Sequence, residues 1–407
     1  MKYLILISIL IGGKVSNAQQ FPVADLRKHI EYLASDELEG RGTASLGEIR
    51  AANYIANEFV ELGIKPAGDQ GTFFQPFQVT FAVEGVPHTQ TARNVVGYLD
   101  NGGAKTIVIG AHYDHLGKGY QGSSLSPDSR NKIHNGADDN ASGAAGLIEL
   151  ARYFAKNSIR EKHNLLFIAF SGEELGLLGS KYFTEKPTVP LSSVSSMINM
   201  DMIGRLSNEK SLIVSGWGTS AAWGRLIPGL AQEYRLKYTV DSSGVGASDH
   251  TSFYLKNIPV VQFFTGGHAD YHKVSDDPDK INYEGEARIL SLIAKLVEQL
   301  DKEAAEPEFV TTSNPHANAT ASSFKVTMGV MPDYSYTGKG LRIDDVSKAR
   351  PAEQAGIQAG DVITRLAGKE ISDIYDYMEI LGHHEKGDQV DAEFLRAGKL
   401  HKVKVTF

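Results

Sequence analysis

The sequence has 407 residues, 41 Lys and Arg against 49 Asp and Glu, a formal net charge of −8 and no cysteine. Its length fits two or three domains, and its 42% hydrophobic content is enough to build packed cores, which excludes wholesale disorder. Without cysteine there is no disulfide scaffold, thiolate metal site or cysteine nucleophile, so any metal must be held by His, Asp and Glu; an acidic chain without clustered Lys and Arg is not built to bind nucleic acid.

Residues 1–18 (MKYLILISILIGGKVSNA) read as a secretory signal peptide. Lys2 precedes an apolar run from Tyr3 to Ile11 that is too short to span a bilayer, and Ser16 and Ala18 give a small-x-small cleavage pattern. An uncleaved anchor is the rival reading, since Lys14 follows the run. No later stretch reaches the roughly 18 apolar residues of a membrane span. The expectation is an exported protein, periplasmic or secreted, with no membrane span once the signal is removed.

From residue 19 to 310, apolar runs alternate with helical patterns. Residues 106–111 (TIVIGA), 164–170 (NLLFIAF), 196–201, 211–215 and 258–264 (IPVVQFF) read as strands. Several are apolar on both faces, as buried parallel strands are. Residues 141–156 read as an Ala-rich helix with Asn140 or Asp139 as N-cap, and Ile289, Ile293, Leu296, Val297 and Leu300 recur at helical spacing. The alternation predicts an α/β fold, a mostly parallel central sheet with helices on both faces. Residues 311–323 (TTSNPHANATASS) read as a linker. Residues 324–407 read as a small β-rich domain, with short helices near 351–355 and 374–383.

Five motifs put His, Asp or Glu at predicted strand ends: His112-Tyr-Asp114-His115, Asp138-Asp139-Asn140, Glu173-Glu174, Asp201, and Asp270-Tyr271-His272-Lys273. In an open α/β sheet ligands bind at the carboxyl ends of the strands, so motifs far apart in the chain converge on one crevice. His112, Asp139, Glu174, Asp201 and His272 supply two imidazoles and three carboxylates. That set suits two Zn²⁺ ions if one Asp bridges them and water completes the shell. Glu173 is left beside a ligand without being one, the place for a general base.

With these motifs the sequence resembles the co-catalytic di-zinc aminopeptidases, a group that includes glutamate carboxypeptidase-like and zinc-dependent glutaminyl cyclase-like members. The resemblance spans residues 25–300, including residues 35–42 (SDELEGRG), typical of bacterial members. It implies the di-zinc exopeptidase fold and a bridging Asp139. One zinc would take His112 and Asp201, the other Glu174 and His272. Glu173 would be the general base, Asp114 would accept the His112 ring N–H, and Tyr271 would hydrogen-bond the tetrahedral intermediate. The Asp139–Asn140 peptide would be cis. Glu174, where carboxypeptidase-type relatives use Asp, favours the aminopeptidase branch. The expected activity is hydrolysis of the N-terminal bond of peptides with a free N-terminus, by a metal-activated water. The alternatives are a di-zinc carboxypeptidase, a glutaminyl cyclase-like enzyme, or a non-catalytic peptide-binding module.

Several residues compete with this reading. His268 lies four residues before His272 and rivals it as ligand. His115 and Asp138 are expected to support the site or sit in its loops. Ser248-Asp249-His250 looks like a scrambled serine triad, but sequence neighbours do not converge as nucleophile and base, and no G-x-S-x-G elbow exists. Residues 249–254 are expected to form a loop and short helix lining the substrate pocket, with Phe253 as a contact. Residues 117–135 read as a mobile Gly/Ser-rich loop beside the crevice.

Residues 324–407 resemble a PDZ domain of bacterial envelope proteases, on residues 337–341 (TGKGL), 347–360 (SKARPAEQAGIQAG), 361–366 and 373–382. The resemblance implies a groove for a peptide C-terminus or protein partner. Its Gly338-Lys-Gly340-Leu341 loop would offer backbone N–H groups, and strand 341–346 would pair with an added strand. A folded appendage with a closed groove is the rival. The final residues 405–407 resemble a PDZ ligand but read better as the domain's own last strand.

Overall fold

In a computed structural model, the described residues are 21–407 except 84–85, 122, 127–128, 209–210, 313–325, 333–335, 337, 347 and 373. The expected signal peptide lies outside them, as does the expected linker from residue 313 onward. The large domain begins with helices α1 (Val23–Leu33) and α2 (Leu46–Glu61) and strands β1 (Lys65–Pro66), β2 (Phe74–Val83) and β3 (Val86–Leu99). There follow β4 (Thr106–His112), α3 (Gly143–Lys156), β5 (Asn164–Phe170), α4 (Leu178–Glu185), β6 (Val194–Met200) and β7 (Leu212–Ser215). It closes with α5 (Ala221–Glu233), β8 (Tyr238–Val240), α6 (His250–Tyr254), β9 (Val260–Phe264) and α7 (Tyr283–Lys302). No helix among the described residues is long and apolar enough to cross a membrane.

The strands form one nine-stranded sheet in the order β1-β3-β5-β4-β6-β9-β7-β8, with β2 on β3. Its centre is parallel: β4 pairs with β5 and β6, and β6 with β9. The flanks are antiparallel at β3–β5 and β7–β9. Every residue of β4, β5 and β6 is buried, because helices cover both faces and alternate side chains enter two different cores. Ile107, Ile109, Leu165 and Phe167 join the core under α1, α2, α3, α5 and α7. Val108, Leu166, Ile168 and Phe170 join the opposite one, with Phe183 and Phe253. The stripe of α7 is buried at Ile289, Ile293, Leu296, Val297 and Leu300, and the Asn282 side chain caps its start by accepting from Gly285 N–H. Because the central strands are parallel and in register (His112 opposite Phe170, Met200 opposite Phe263), their carboxyl ends open on one edge.

The C-terminal domain contains β10 (Val330–Pro332), β11 (Leu341–Val346), α8 (Pro351–Gln354), β12 (Val362–Leu366), β13 (Lys369–Glu370), α9 (Ile374–Gly382), β14 (Gln389–Arg396) and β15 (Lys399–Thr406). Its antiparallel sheet runs β10-β11-β12-β14-β15, with β13 on β12, around a core of its own. This corrects two expectations. β11 is paired on both edges, Val346 with Val330 and Leu341 with Ile363, so it has no free edge for an added strand. Gly340 N–H already donates to Ser372 O (2.8 Å), so it is not offered to a peptide C-terminus. In the strand order, β10 is the edge strand beside β11. β15 pairs with β14 over its full length and buries Val405, so the C-terminal residues form the last strand. Thr312, expected in the linker, is held by the large domain: its Oγ1 lies 3.0 Å from the Tyr254 hydroxyl and accepts from Gly244 N–H.

Candidate metal centre

His112 is the last residue of β4, and buried Arg41 braces the turn that follows it. The Arg41 guanidinium donates to the backbone carbonyls of Tyr113 (2.8 Å), Asn135 (2.8 Å), Gly136 (2.9 Å) and Leu33. One side chain thereby ties the turn after β4 to the turn leading into α3. Burial pulls its pKa down to about 10, opposed by the negative charges of Asp139 and Asp114. Asp276 Oδ2 accepts from the N–H groups of Asp138 (2.9 Å) and Asp139 (3.1 Å). Asn140 Nδ2 donates to Met200 O (3.1 Å), anchoring the same turn to the end of β6. The Asp139–Asn140 peptide is cis, as the resemblance implies.

Within this frame His112 Nε2 lies 3.5 Å from Asp139 Oδ1 and 3.3 Å from Asp201 Oδ1. His272 Nε2 lies 3.2 Å from Asp139 Oδ2 and 3.2 Å from Glu174 Oε2. The two oxygens of Asp139 thus face two different imidazoles. Charge-assisted N–H···O bonds are usually shorter, about 2.7–2.9 Å. Two donors bound tetrahedrally to one zinc, at about 2.0–2.2 Å each, lie roughly 3.4 Å apart. The observed spacings match that edge, so His, Asp and Glu here fit a zinc between them better than direct contact. Glu173 shares the His112 side: one ligand atom each of His112, Glu173 and Asp201 lies within 4.8 Å of the others.

The supporting contacts sort the rival residues. His115 Nδ1 is 2.8 Å from Glu174 Oε1, a hydrogen-bond distance, and 3.7 Å from Asp139 Oδ2. Burial holds this imidazole well below its usual pKa, so the neutral ring donates to Glu174. His268 Nε2 sits 3.0 Å from Asp138 Oδ2; it is Asp138 that it meets. The Asp114 carboxylate accepts from the Thr43 hydroxyl (2.7 Å) and Glu173 N–H (3.2 Å). It lies 3.7 Å from His112 Nδ1, beyond a hydrogen bond, because those donors draw it away; the ring nitrogen meets the Asp114 backbone carbonyl at 3.2 Å. The Tyr271 ring stacks on His272, centroids 3.9 Å apart, and packs on Met202, Ile213 and Phe264. Ser248 Oγ accepts from Asn199 Nδ2 (2.8 Å), while both His250 nitrogens are buried with no hydrogen-bond partner among the described residues, so Ser248 and His250 do not pair. Phe253 is fully buried between Phe170 and Phe183 and belongs to the core, which corrects its expected place in the substrate pocket.

Burial raises the Glu173 carboxyl well above the usual range; His112 opposes the shift, and the negative charges of Asp201 and Glu174 add to it. Burial alone would lower His112 and His272. Glu173 and Asp201 reverse this for the first, Glu174 and Asp139 for the second, and both imidazoles end well above their usual pKa. A buried carboxylate–imidazole cluster of this kind takes up protons when no cation neutralises it. Sequence reasoning did not assign Arg41 or Asp276. Their signals were the Gly-Arg-Gly of residues 40–42 and the acid four residues after His272.

The description of peptidase family M28 matches residues 94–297, and that of a PDZ domain matches residues 317–407. Among curated proteins the chain is similar to leupeptin-inactivating enzyme 1 of Streptomyces exfoliatus, 25% identical over 261 residues, covering 64% of this chain and 52% of that one. The chain spans about half the length of the curated relatives it matches. Among solved structures it resembles a zinc aminopeptidase from Bacillus subtilis, with a TM-score of 0.55, 18% identity and coverage of 74% of this chain and 98% of that one. It also resembles a Bacteroides thetaiotaomicron glutaminyl cyclase bound to N-acetylhistamine, with a TM-score of 0.56, 17% identity and coverage of 68% and 98%. At such identities these two structures speak to the fold alone.

Proposed function

The chain belongs to peptidase family M28, and from that premise we propose that it is an exported zinc-dependent aminopeptidase acting on peptides with a free N-terminus. The observation that carries this reading is the pair of imidazole–carboxylate spacings, 3.2–3.5 Å, that share Asp139. Two zinc ions per chain would be held, one by His112 and Asp201, the other by Glu174 and His272, with Asp139 common to both. Bound zinc supplies Lewis-acid polarisation of the scissile carbonyl and lowers the pKa of water.

Glu173 takes the proton of the attacking water and returns it to the leaving amine. Asp114 positions Glu173 by accepting its backbone N–H, and the Asp114 carbonyl orients the His112 ring. Tyr271 fixes the plane of His272 by stacking, and its hydroxyl is assigned to the tetrahedral intermediate. Residues 1–18 would direct export to the periplasm or beyond. Residues 19–310 would form the peptidase domain, and residues 324–407 a PDZ domain that takes a peptide C-terminus or a protein partner.

The test uses zinc-loaded protein with aminoacyl chromogenic substrates and N-blocked controls. Release from free-amine substrates alone is the expected result. Release only of C-terminal residues, or cyclisation of N-terminal glutamine without hydrolysis, would replace the reading with a carboxypeptidase or a cyclase.

A further inference from the structure

Residues 123–126 are stitched to the segment that carries His272. Leu125 N–H donates to His272 O (2.9 Å), His272 Nδ1 lies 3.0 Å from Ser123 O, and Val274 N–H donates to Ser126 Oγ (3.0 Å). With Nδ1 directed at a carbonyl, the His272 nitrogen facing Asp139 and Glu174 is Nε2. His272 also has φ 53°, a left-handed conformation that a residue with a side chain keeps only where its surroundings enforce it.

The same four residues are gripped by the other domain. The Arg350 guanidinium donates to Ser124 O and, at 3.2 Å, to Ser126 O. Arg350 immediately precedes α8 and is partly buried. Its stem lies across Gly329, where an added Cβ would come within 2.2 Å of the Arg350 Cβ. Ala352 N–H donates to Met328 O (2.9 Å), fixing the turn from which Arg350 projects. The guanidinium is therefore held by the C-terminal domain and spent on backbone carbonyls next to a metal ligand. Both bonds come from one nitrogen, Nη2, whose two N–H groups serve the two carbonyls at once.

We propose that Arg350 is a positioning residue for His272: through residues 123–126 the C-terminal domain helps hold one half of the metal centre in shape. The proposal rests on the reading of His272 as a zinc ligand. Loss of a group that orients a ligand typically weakens metal binding about 10- to 100-fold, and here the loss should fall on one zinc only.

The test follows zinc transfer from the full-length, zinc-loaded protein to a chromophoric chelator. Wild-type protein is expected to release two zincs in two phases. Arg350→Ala should accelerate one phase at least about 10-fold and leave the other unchanged. Arg350→Lys should fall between, and Ser126→Ala, made in the other domain, should accelerate the same phase. Unchanged release in Arg350→Ala, or both phases accelerated alike with a lowered unfolding midpoint, would overturn the proposal while leaving the two-zinc reading intact. Wild-type protein that binds no zinc would overturn that reading and the proposal with it.

Discussion

The metal centre and the C-terminal domain treat buried charge in opposite ways. Among the described residues of the C-terminal domain, the one buried charged side chain is Asp361, and Arg396 meets its two oxygens at 2.8 and 2.7 Å. In the large domain the carboxylates of Asp139, Glu174 and Asp201 face imidazoles at 3.2–3.5 Å, with Glu173 beside them. A carboxylate neutralised at close range by its own fold serves structure. Carboxylates gathered at the spacing of a coordination shell leave neutralisation to a cation, because unpaired buried charge is costly.

The contrast can be broken most forcefully at Glu173. Glu173→Gln should keep the zinc content, read by metal analysis, and cut turnover at least about 100-fold, the usual scale of general acid–base catalysis; wild-type turnover would remove Glu173 from its role. His272→Ala comes next. It should lower the affinity for one zinc by at least about 100-fold, the scale set by losing one of four ligands. Two tightly held zincs in that variant would contradict the assignment.

Removing zinc sharpens the comparison through pH. In the metal-free fold His112, His272 and Glu173 all titrate above their ordinary values. The folded state then binds more protons than the unfolded one, so the imidazole contribution is fully present below about pH 6.5 and is lost as pH rises through the raised pKa values. Above about pH 7.5, where the lowered His115 is neutral both folded and unfolded, the metal-free large domain should therefore lose thermal stability as pH rises, and the gap to the zinc-loaded form should widen. A gap that narrows with rising pH would contradict the cluster's electrostatics. The smallest effect on turnover is expected in the C-terminal domain. Arg396→Gln should lower that domain's unfolding midpoint by at least about 10 °C, as the loss of a buried acid's partner does in a small domain, with turnover at 25 °C, read on the fraction still folded, within about twofold of wild type.

The centre of the sheet is legible in the sequence because short unbroken apolar runs such as residues 164–170 suit strands buried on both faces, and polar motifs follow them directly. Its flank is harder to read. β3 passes from exposed residues 86–91 to buried ones after Ala92, so no single period runs along it. In the C-terminal domain a Gly-x-Gly pattern announces a turn, but not that Gly340 N–H is committed to Ser372. The contacts made by Arg41 and Arg350 are also silent. Both guanidiniums bind backbone carbonyls remote in the chain, up to 226 residues away for Arg350, and a carbonyl carries no side-chain identity to match against. Phe253 misled for a related reason, since an aromatic near a polar motif reads equally well as pocket or core.

The central claim is tested most directly by anomalous diffraction at the zinc edge from crystals grown with zinc. The account predicts two peaks roughly 3.5–4 Å apart, one bonded to His112 and Asp201, the other to Glu174 and His272, and both within bonding distance of Asp139. A single peak, or a pair that leaves Asp139 unbonded, would contradict it.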